Sequence, residues 1–359
     1  MRILDRYLLK SFIKILLFSI ITFIAVYVII DMVEHLDKFI DRNVPVMIIT
    51  LYYVYSLPEI IKLILPVAMM MASLFSVGQL ARRNELTAIK ASGQRLSRVY
   101  LPILILAFFI SLAALFWNDT AVPIYCRKKY DLDRTYLKKL PAQYRLKRNN
   151  IPVQDSPNRY LYIEYYDGET NTGYQVDIIT QTSEAITERI FTREMQYTTK
   201  GWVLKKGVRY TFEANKVRMM PFEEYSDVHL NIRSDDMEGI QIRPEEMRYI
   251  ELSEFIERLK RIGGNTRRWL LEQHQKISFP FSNIIIVLFG LSLASTRWRG
   301  GVAAGFGIGI FFCFVFYGVN ITLGPTLGHY GVFPPIISAW FGNLLFGILG
   351  IWTFHKTRT

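Results

Sequence analysis

Residues that could carry catalysis do not form a recognisable constellation in this sequence. The five histidines are spread along the chain, and even the nearest two, His329 and His355, are too far apart for a local metal motif. The two cysteines, Cys126 and Cys313, make neither a metal nor a disulfide framework. There is no Gly-x-x-x-x-Gly-Lys-Ser/Thr, so the chain lacks a phosphate-binding loop of the Walker type. We therefore expect a protein that is not an enzyme, takes no cofactor or metal, and relies on a partner for any ATP hydrolysis.

Charged side chains beside long apolar segments are the next place to seek chemistry, because charges are costly in a membrane and often functional there. Glu59 and Lys62 are three residues apart and share one face of a predicted helix. They can form an ion pair within that helix, or Lys62 can face an anionic lipid head group. The residues alone leave both interpretations open.

The most specific local pattern lies at about residues 81 to 93, where the sequence reads ARRNELTAIKASG. It predicts a short helix that carries Leu86 and Ile89 on one face and stops at Gly93. Arg82, Arg83 and the single acid Glu85 charge the same segment. Such a helix suits docking into a groove of a soluble partner. The alternative is a solvated loop that only carries the positive charge typical of cytoplasmic loops.

A cluster of glycines opens the fifth apolar segment. Gly305 and Gly309 form G-x-x-x-G, a spacing that lets two helices approach closely. Because this motif is common in membrane helices, we favour packing within the chain over contact with a specific partner.

These candidate residues are positioned by six apolar segments, at about residues 12–30, 57–80, 99–122, 277–295, 302–323 and 334–354. Each is long enough to cross a membrane, since about 20 helical residues span the ~30 Å hydrocarbon core. The excess of 43 Lys and Arg over 31 Asp and Glu lies beside these segments. We therefore attribute the net charge of +12 to membrane topology and expect no nucleic-acid partner.

Basic residues in short loops predict the orientation, because such loops stay in the cytoplasm. With six spans, four basic groups fall on one side: Arg2 to Lys14, Arg82 to Arg98, Arg297 with Arg299, and Lys356 with Arg358. We expect both termini in the cytoplasm of a bacterial inner-membrane protein, and residues of about 123 to 276 on the outer side.

The polar interval between the third and fourth spans predicts a β-rich domain. Aromatic and β-branched runs at 160–165 and 172–179 are separated by turn signals, and 188–197 with 202–210 indicates a hairpin. The predicted fold is thus six transmembrane helices with an all-β domain between helices 3 and 4. The expected divisions are 1–123, 124–250, a connecting amphipathic helix in 251–276, and 277–359. The domain can also be a passive cap, because a β-fold carries no function by itself.

Three stretches of this sequence resemble the LptF/LptG permeases, the membrane subunits of the bacterial lipopolysaccharide exporter. They are Leu4-Asp5-Arg6-Tyr7, the run from Leu80 to Gly93, and Phe316-Tyr317-Gly318 through Gly324-Pro325 to Pro334-Pro335. The last stretch is closer to the G-type than to the F-type subunits.

This resemblance implies a periplasmic β-jellyroll and a second, LptF-like permease with which the chain encloses a lipid-accessible cavity. It implies that residues 81–93 form a coupling helix in a groove of an LptB-like ATPase, with Glu85 facing an arginine. Lipopolysaccharide would pass through the cavity to the jellyroll and on to LptC-like and LptA-like bridge proteins.

One departure affects the expected head-group contacts. Enterobacterial G-type subunits carry several lysines at the outer end of span one, where this chain has the largely acidic stretch Asp31 to Lys38. That leaves Lys62, Lys38 and His35 as substrate-binding candidates. Two other classes remain: a scaffold moved by an ATPase without lipid passage, and an ion-coupled transporter, which would need ionisable residues deep in the spans.

Overall fold

The computed structural model of this chain describes most of its residues. The described ranges are 3–137, 147–156, 158–167, 170–182, 185–198, 201–213, 216–226, 228, 230–232, 243–261, 266–294 and 301–356. The chain divides into a membrane unit, Met1–Leu132 with Arg267–Thr359, and a β unit, Asp133–Thr266. The β unit is therefore inserted between the two halves of the membrane unit.

Long apolar helices form the membrane unit. Six helices within the described ranges are long and apolar enough to cross a membrane, which confirms the predicted number of spans. The helices of this unit are α1 (Ile3–Asp41), α2 (Val46–Arg82), α3 (Glu85–Ala91), α4 (Leu96–Leu132), α6 (Arg267–Ala294), α7 (Gly301–Tyr317), α8 (Gly324–His329) and α9 (Pro335–Lys356). A π-helical turn, Gly318–Leu323, joins α7 to α8.

The helices are longer than the apolar segments that predicted them. Helix α1 has 39 residues and includes the acidic stretch Asp31 to Lys38, which lies beyond the predicted apolar segment at 12–30. Only the hydrocarbon-crossing part of a helix must be apolar. The polar end therefore continues to Asp41, and Pro45 then starts α2.

Helices α2 and α6 are the most buried spans and make the centre of the membrane unit. Small residues let them touch, because a Cβ placed on Gly290 of α6 would collide with Ser73 of α2. A Cβ on Gly309 of α7 would likewise collide with Leu74 of α2. The G-x-x-x-G glycine Gly309 thus packs within its own chain, as glycine does where backbones approach closely. The surroundings of Gly305 lie outside the described residues.

The β unit is a six-stranded antiparallel sheet in which each strand pairs with its neighbours in the chain. The strands are β1 (Lys147–Ser156), β2 (Arg159–Asp167), β3 (Thr172–Gln181), β4 (Ile186–Thr198), β5 (Gly201–Glu213) and β6 (Lys216–Tyr225). Thr198 pairs with Gly201, which confirms the predicted hairpin. With the six spans, this sheet confirms the predicted fold class.

One face of this sheet forms the core of the β unit. Period-two alternation buries Leu161 with Ile163, Val176 with Ile178, and Trp202 with Leu204 on that face. Ile190 and Met195 of β4 join the same cluster although the alternation shifts by one residue between Thr192 and Met195, and Ile232 completes it. Helix α5 (Tyr249–Arg261) contributes Leu259 to the same cluster. It corresponds to the amphipathic helix predicted within 251–276, and it begins two residues earlier, at Tyr249.

Candidate functional site

The segment predicted as one coupling helix consists of the end of α2, a turn and the short helix α3. The backbone N–H of Arg83 donates to Gln79 O at 3.1 Å, so α2 extends to the turn. Asn84 then has a φ of 58°, and its carbonyl accepts from Ala88 N at 3.0 Å in the first turn of α3. Gly93 follows with a φ of 76°, a left-handed conformation that glycine adopts at little cost.

The apolar face of α3 packs onto its own chain. Leu86 is only 5% exposed and belongs to the core cluster of the membrane unit, with Leu80 and Leu96, and Ile89 is half-buried against it. A seven-residue helix has little stability of its own, so it must bury this face to persist. Leu86 and Ile89 therefore anchor α3 to the membrane unit and do not project toward a partner.

The outward side of this segment is polar and charged. Arg82, Arg83 and Thr87 are exposed. Arg83 Nη1 lies 3.9 Å from Glu85 Oε1 and 3.4 Å from Tyr7 Oη, so both contacts are loose. Because such exposed pairs are worth little, these groups can change partners at small cost. This surface suits a soluble protein better than lipid.

In the N-terminal half of α2, away from α3, Glu59 forms a salt bridge that the sequence did not predict. Its Oε2 accepts from Lys129 Nζ of α4 at 2.9 Å. The ammonium group of Lys129 also lies 5.5 Å from the ring centroids of Tyr52 and Tyr130. The possible ion pair between Glu59 and Lys62 does not form, because the carboxylate of Glu59 turns to α4.

Lys62 is therefore left beside an aromatic ring, with no acid at ion-pair distance in the described part of the chain. Its Nζ lies 5.7 Å from the ring centroid of Phe279 in α6. Lys62 and Arg82 lie on the same helix, about 30 Å apart at a rise of about 1.5 Å per residue. That distance is similar to the ~30 Å thickness of the hydrocarbon core of a bilayer.

A cleft of about 180 Å³ opens beside Lys62, between α2, α4 and α6. Its walls are mostly apolar, and Trp117 and Phe279 flank it. The indole N–H of Trp117 donates to Pro58 O at 3.2 Å. Asn283 also lines the cleft, is 1% exposed, and donates its amide N–H to Pro280 O at 2.9 Å. Within the described ranges, its Oδ1 has no hydrogen-bond partner.

Pro280 explains the local form of α6 at this cleft. Proline lacks an N–H, so it frees the carbonyl of the residue four positions earlier, Lys276. Asn118 of α4 donates its side-chain amide to that carbonyl at 2.9 Å. The freed backbone group is thus satisfied across helices, as a membrane interior requires.

The other two substrate-binding candidates lie on α1. His35 Nδ1 is 2.9 Å from Asp31 O and 3.6 Å from Asp31 Oδ2, so its ring is held by its own helix. Asp31 also accepts from Tyr53 Oη of α2 at 3.1 Å. Lys38 lies near the end of α1 and is exposed. Neither residue lines the cleft beside Lys62.

Lys128 was not a candidate from the sequence; it follows Arg127 near the C-terminal end of α4. The Nζ of Lys128 lies 5.5 Å and 5.6 Å from the ring centroids of Tyr55 and Tyr125. The signal was present as the run Arg127-Lys128-Lys129 directly after the third span, on the side where basic residues are otherwise few. Arg127, Lys128 and Lys129 thus supply positive charge after the third span, whereas the stretch from Asp31 to Lys38 after the first span is largely acidic.

In the β unit, a buried carboxylate holds the segment that covers the sheet. Asp155 Oδ1 accepts from the backbone N–H groups of Asn231 at 2.7 Å and Ile232 at 3.2 Å. The indole N–H of Trp202 donates to Ile232 O at 2.6 Å. Burial raises the pKa of Asp155, although both backbone hydrogen bonds and Arg159 act in the opposite direction.

Comparison with known proteins gives consistent matches over nearly the whole chain. Residues 6–356 match the family described as lipopolysaccharide export system permease LptF/LptG. The lipopolysaccharide export system permease protein LptG of Escherichia coli K12 is 24% identical over 367 residues, covering 99% of this chain and 98% of that protein. The protein of the same name from Haemophilus influenzae Rd is 23% identical over 365 residues, with 99% of each chain covered. These matches include both the membrane unit and the β unit.

Proposed function

Because this chain belongs to the LptF/LptG family of lipopolysaccharide export system permeases, we propose that it takes the G-type place in the exporter. It is a multi-pass inner-membrane permease subunit that extracts lipopolysaccharide from the membrane. A separate LptB-like ATPase powers it, and an LptF-like subunit pairs with it. The lipid then passes to LptC-like and LptA-like bridge proteins.

The observation that carries this proposal is the contrast along α2. The C-terminal end of α2 leads into α3, whose charged side faces outward, and the N-terminal half of α2 presents Lys62 beside an apolar cleft. We infer that α3 is cytoplasmic, as are both termini, and that the β unit is periplasmic. Movement of α3 by the ATPase would then be transmitted along α2 to the lipid end.

The energetics require such a device. Exposing acyl chains to water costs roughly 0.8 kcal/mol per CH₂, so a lipid with several chains cannot leave the bilayer without a shielded path and an energy source. In our proposal the cavity shared with the paired subunit supplies the first shielded stretch. The apolar face of the β unit supplies the next.

The docking role assigns Arg82, Arg83 and Glu85 to the ATPase contact and Leu86, Ile89 and Gly93 to holding α3 in place. Glu85→Lys reverses the single acid that this segment offers to a basic partner. It should reduce copurification of the ATPase at least tenfold while thermal unfolding of the purified chain stays unchanged. Undiminished copurification would count against the role of α3.

Head-group binding is tested in proteoliposomes that contain the full exporter. Lys62→Glu should lower ATP-dependent release of lipopolysaccharide to a soluble acceptor, because it places an anion where the lipid phosphate is expected. Release at the wild-type rate would reject Lys62 as a contact and leave Lys38, His35 or the paired subunit.

Lipid passage separates this function from that of an ATPase-moved scaffold. A photocrosslinking amino acid at Phe222, which packs on the core face of the sheet, should capture lipopolysaccharide only when ATP is hydrolysed. The same amino acid at Tyr162, which is exposed and alternates with buried Leu161 and Ile163, is the matched control. Equal capture at both positions, or none with ATP, would favour the scaffold.

A further inference from the structure

Of the three stretches that resemble the LptF/LptG permeases, the one from Phe316 to Pro335 interrupts span five and has no role in the proposed function. The turn Gly318–Leu323 is π-helical, and the N–H of Gly324 donates to Val319 O, five residues earlier instead of four. Pro325 lacks an N–H, and in a regular α-helix its ring would collide with the carbonyl four residues before it, so the wider turn accommodates it. Such π-helical turns are rare and frequently mark functional sites.

We propose that span five is hinged at this turn, so that α7 swings away from α2 during transport while α8 stays fixed against α6 and α9. A hydrogen bond from Tyr317 Oη to Leu63 O of α2, at 2.6 Å, is the latch that holds α7 closed. The hinge is a property of this chain, and only its use in transport rests on the proposed function.

The turn itself is fixed by directional contacts. Asn320 lies within it and is 5% exposed, and its Nδ2 is 3.3 Å from Ser282 Oγ of α6 and 3.4 Å from Asn343 Oδ1 of α9. Asn343 Nδ2 in turn donates to Ser278 O of α6 at 2.6 Å. Because buried polar groups are costly without partners, this network holds the turn to α6 and α9.

Close backbone packing fixes α8 on the same side. A Cβ placed on Gly328 would lie 2.8 Å from Ser338 Cβ of α9, and one on Gly324 would lie 2.7 Å from Ser338 O. Arg267 of α6 also donates to the carbonyl oxygens of Gly328 and Phe333. Movement of α8 would disturb both this packing and these hydrogen bonds.

The segment before the turn is held mainly by apolar contacts. The ring centroid of Phe312 in α7 lies 4.1 Å from that of Phe289 in α6 and 5.3 Å from that of Phe346 in α9. Lipid tails are as apolar as these rings, so α7 can exchange such contacts for lipid at small cost. Tyr317 is the only residue in the sequence of α7 with a side-chain N–H or O–H group, so the latch is the one such bond that a side chain of α7 can donate.

The latch lies next to the turn, which makes it sensitive to a swing of α7. The 17 residues of α7 span about 25 Å, so a swing of about 10° would move the far end by about 4 Å. The Tyr317 hydroxyl, near the pivot, would move by only about 1 Å, which is enough to break its hydrogen bond. In the closed position a Cβ on Gly309 would collide with Leu74 of α2, so this contact limits how far α7 can close.

Spin labels and electron paramagnetic resonance test the hinge in the full-length chain in nanodiscs, with both native cysteines changed to alanine. One label pair, at Gly307 of α7 and Gln79 of α2, joins the moving helix to α2. A second pair, at Thr326 of α8 and Ile336 of α9, reports on the fixed side. All four positions are exposed, so labels can be attached without displacing the core.

Two variants open α7 in different ways. Tyr317→Phe removes only the latch hydroxyl and should raise the fraction of long distances in the first pair about threefold, the worth of an average interhelical hydrogen bond in a membrane. Gly309→Val pushes α7 away from Leu74 and should raise that fraction at least as much. Tyr330→Phe, 83% exposed just after α8, is the matched control and should change nothing. The second pair should keep its distance in all three variants.

A disulfide tests whether transport needs the swing. In the full exporter, Leu74→Cys combined with Gly309→Cys joins α7 to α2 where the two helices touch. Oxidation of this double variant should lower ATP-dependent release of lipopolysaccharide at least tenfold, and reduction should restore it. Oxidation should not affect release by either single variant.

Equal changes in both label pairs would mean that α7 and α8 move as one body, and would overturn the hinge. Unchanged distances in both Tyr317→Phe and Gly309→Val would overturn it as well. Undiminished release by the oxidised double variant would overturn the use of the hinge in transport. An exporter that releases no lipopolysaccharide even without the disulfide would reject the proposed function, while the label distances would still decide the hinge.

Discussion

The two charge pairs along α2 are built in opposite ways. Beside α3, Arg83 and Glu85 approach only to 3.9 Å, and their side chains are 64% and 39% exposed. In the N-terminal half of α2, Glu59 meets Lys129 of α4 at 2.9 Å, and the side chains of Lys129 and Glu59 are 15% and 31% exposed. The ammonium group of Lys129 also lies 5.5 Å from the ring centroids of Tyr52 and Tyr130, whereas Arg83 Nη1 meets a tyrosine hydroxyl, Tyr7 Oη, at 3.4 Å.

This difference indicates what each end meets. Loose, hydrated charges add little to stability and can be handed to another protein. A close pair beside aromatic rings holds α2 to α4 and occupies Glu59, the acid three residues before Lys62. Among the described residues, Lys62 therefore keeps its charge without an acid at ion-pair distance, while the charges beside α3 stay exposed.

The largest effect should come from removing the anchor of α3. Leu86→Ala deletes a buried side chain and should cost about 3 kcal/mol, more than this seven-residue helix can bear. Amide exchange of α3 should rise toward unfolded rates, and ATPase copurification should fall with it. Thr87→Ala, on the exposed side of the same helix, should leave exchange unchanged. Protected α3 amides in Leu86→Ala would mean that the apolar contact does not hold the helix.

The next effect sharpens the contrast between the two charge pairs. Glu59→Gln leaves Lys129 half-buried without its counterion and should lower the free energy of unfolding by about 2 kcal/mol, less than for a fully buried pair. Glu85→Gln breaks the exposed pair and should change it by less than about 0.5 kcal/mol. Both changes in the free energy of unfolding are measured by thermal unfolding in the same detergent. Equal losses would remove the distinction between the ends.

A third prediction carries the comparison into the β unit, where the carboxylate of Asp155 is buried and its counterion Arg159 lies 3.7 Å away, between Nη1 and Oδ2. Its pKa is raised in the folded state, mainly by burial, so folding favours the protonated form. Its contribution to stability is complete below the unfolded pKa of about 3.9 and is lost as pH rises through the folded pKa. Protection of the Asn231 and Ile232 amides, corrected for intrinsic exchange, should therefore decrease with rising pH.

Two substitutions of Asp155 test whether its carboxyl group causes this pH dependence. Asp155→Asn keeps an acceptor for both amides and removes the charge, so the pH dependence should disappear while protection remains. Asp155→Ala leaves two N–H groups without an acceptor and should cost about 1 to 2 kcal/mol at every pH. A pH dependence that persists in Asp155→Asn would point to another titrating group.

What the sequence could predict follows from how local each signal is. Spans, the β4–β5 hairpin and helix α5 depend on periodicity and turn residues within a few positions, so they were predicted correctly. The partner of Glu59 was not predictable, because Lys129 is 70 residues away and only the packing of α2 on α4 brings them together. Helix ends were set too short because an apolar stretch marks the membrane and not the whole helix.

The same limit applies to the candidate site, because the sequence shows which face of a helix is apolar but not what that face contacts. The spacing of Leu86 and Ile89 revealed an apolar face but not what it would touch, and the chain's own core proved to be the answer. Whether Asn283 Oδ1 finds a hydrogen-bond donor depends on the groups that surround it on three helices. No pattern along one segment contains that information.

The smallest expected effect comes from Lys38, and its comparison with Lys62 tests whether a half-buried lysine contributes more than an exposed one. Lys38 is exposed near the end of α1, whereas Lys62 is half-buried beside Phe279. Because water screens an exposed charge, Lys38→Gln should lower ATP-dependent lipopolysaccharide release by less than twofold, well below the loss in Lys62→Gln. The residual Lys38 effect should vanish at high salt while the Lys62 effect persists. A larger, salt-resistant loss in Lys38→Gln would mean that the end of α1 becomes buried against lipid or the paired subunit, and that exposure in the single chain misjudges where the head group binds.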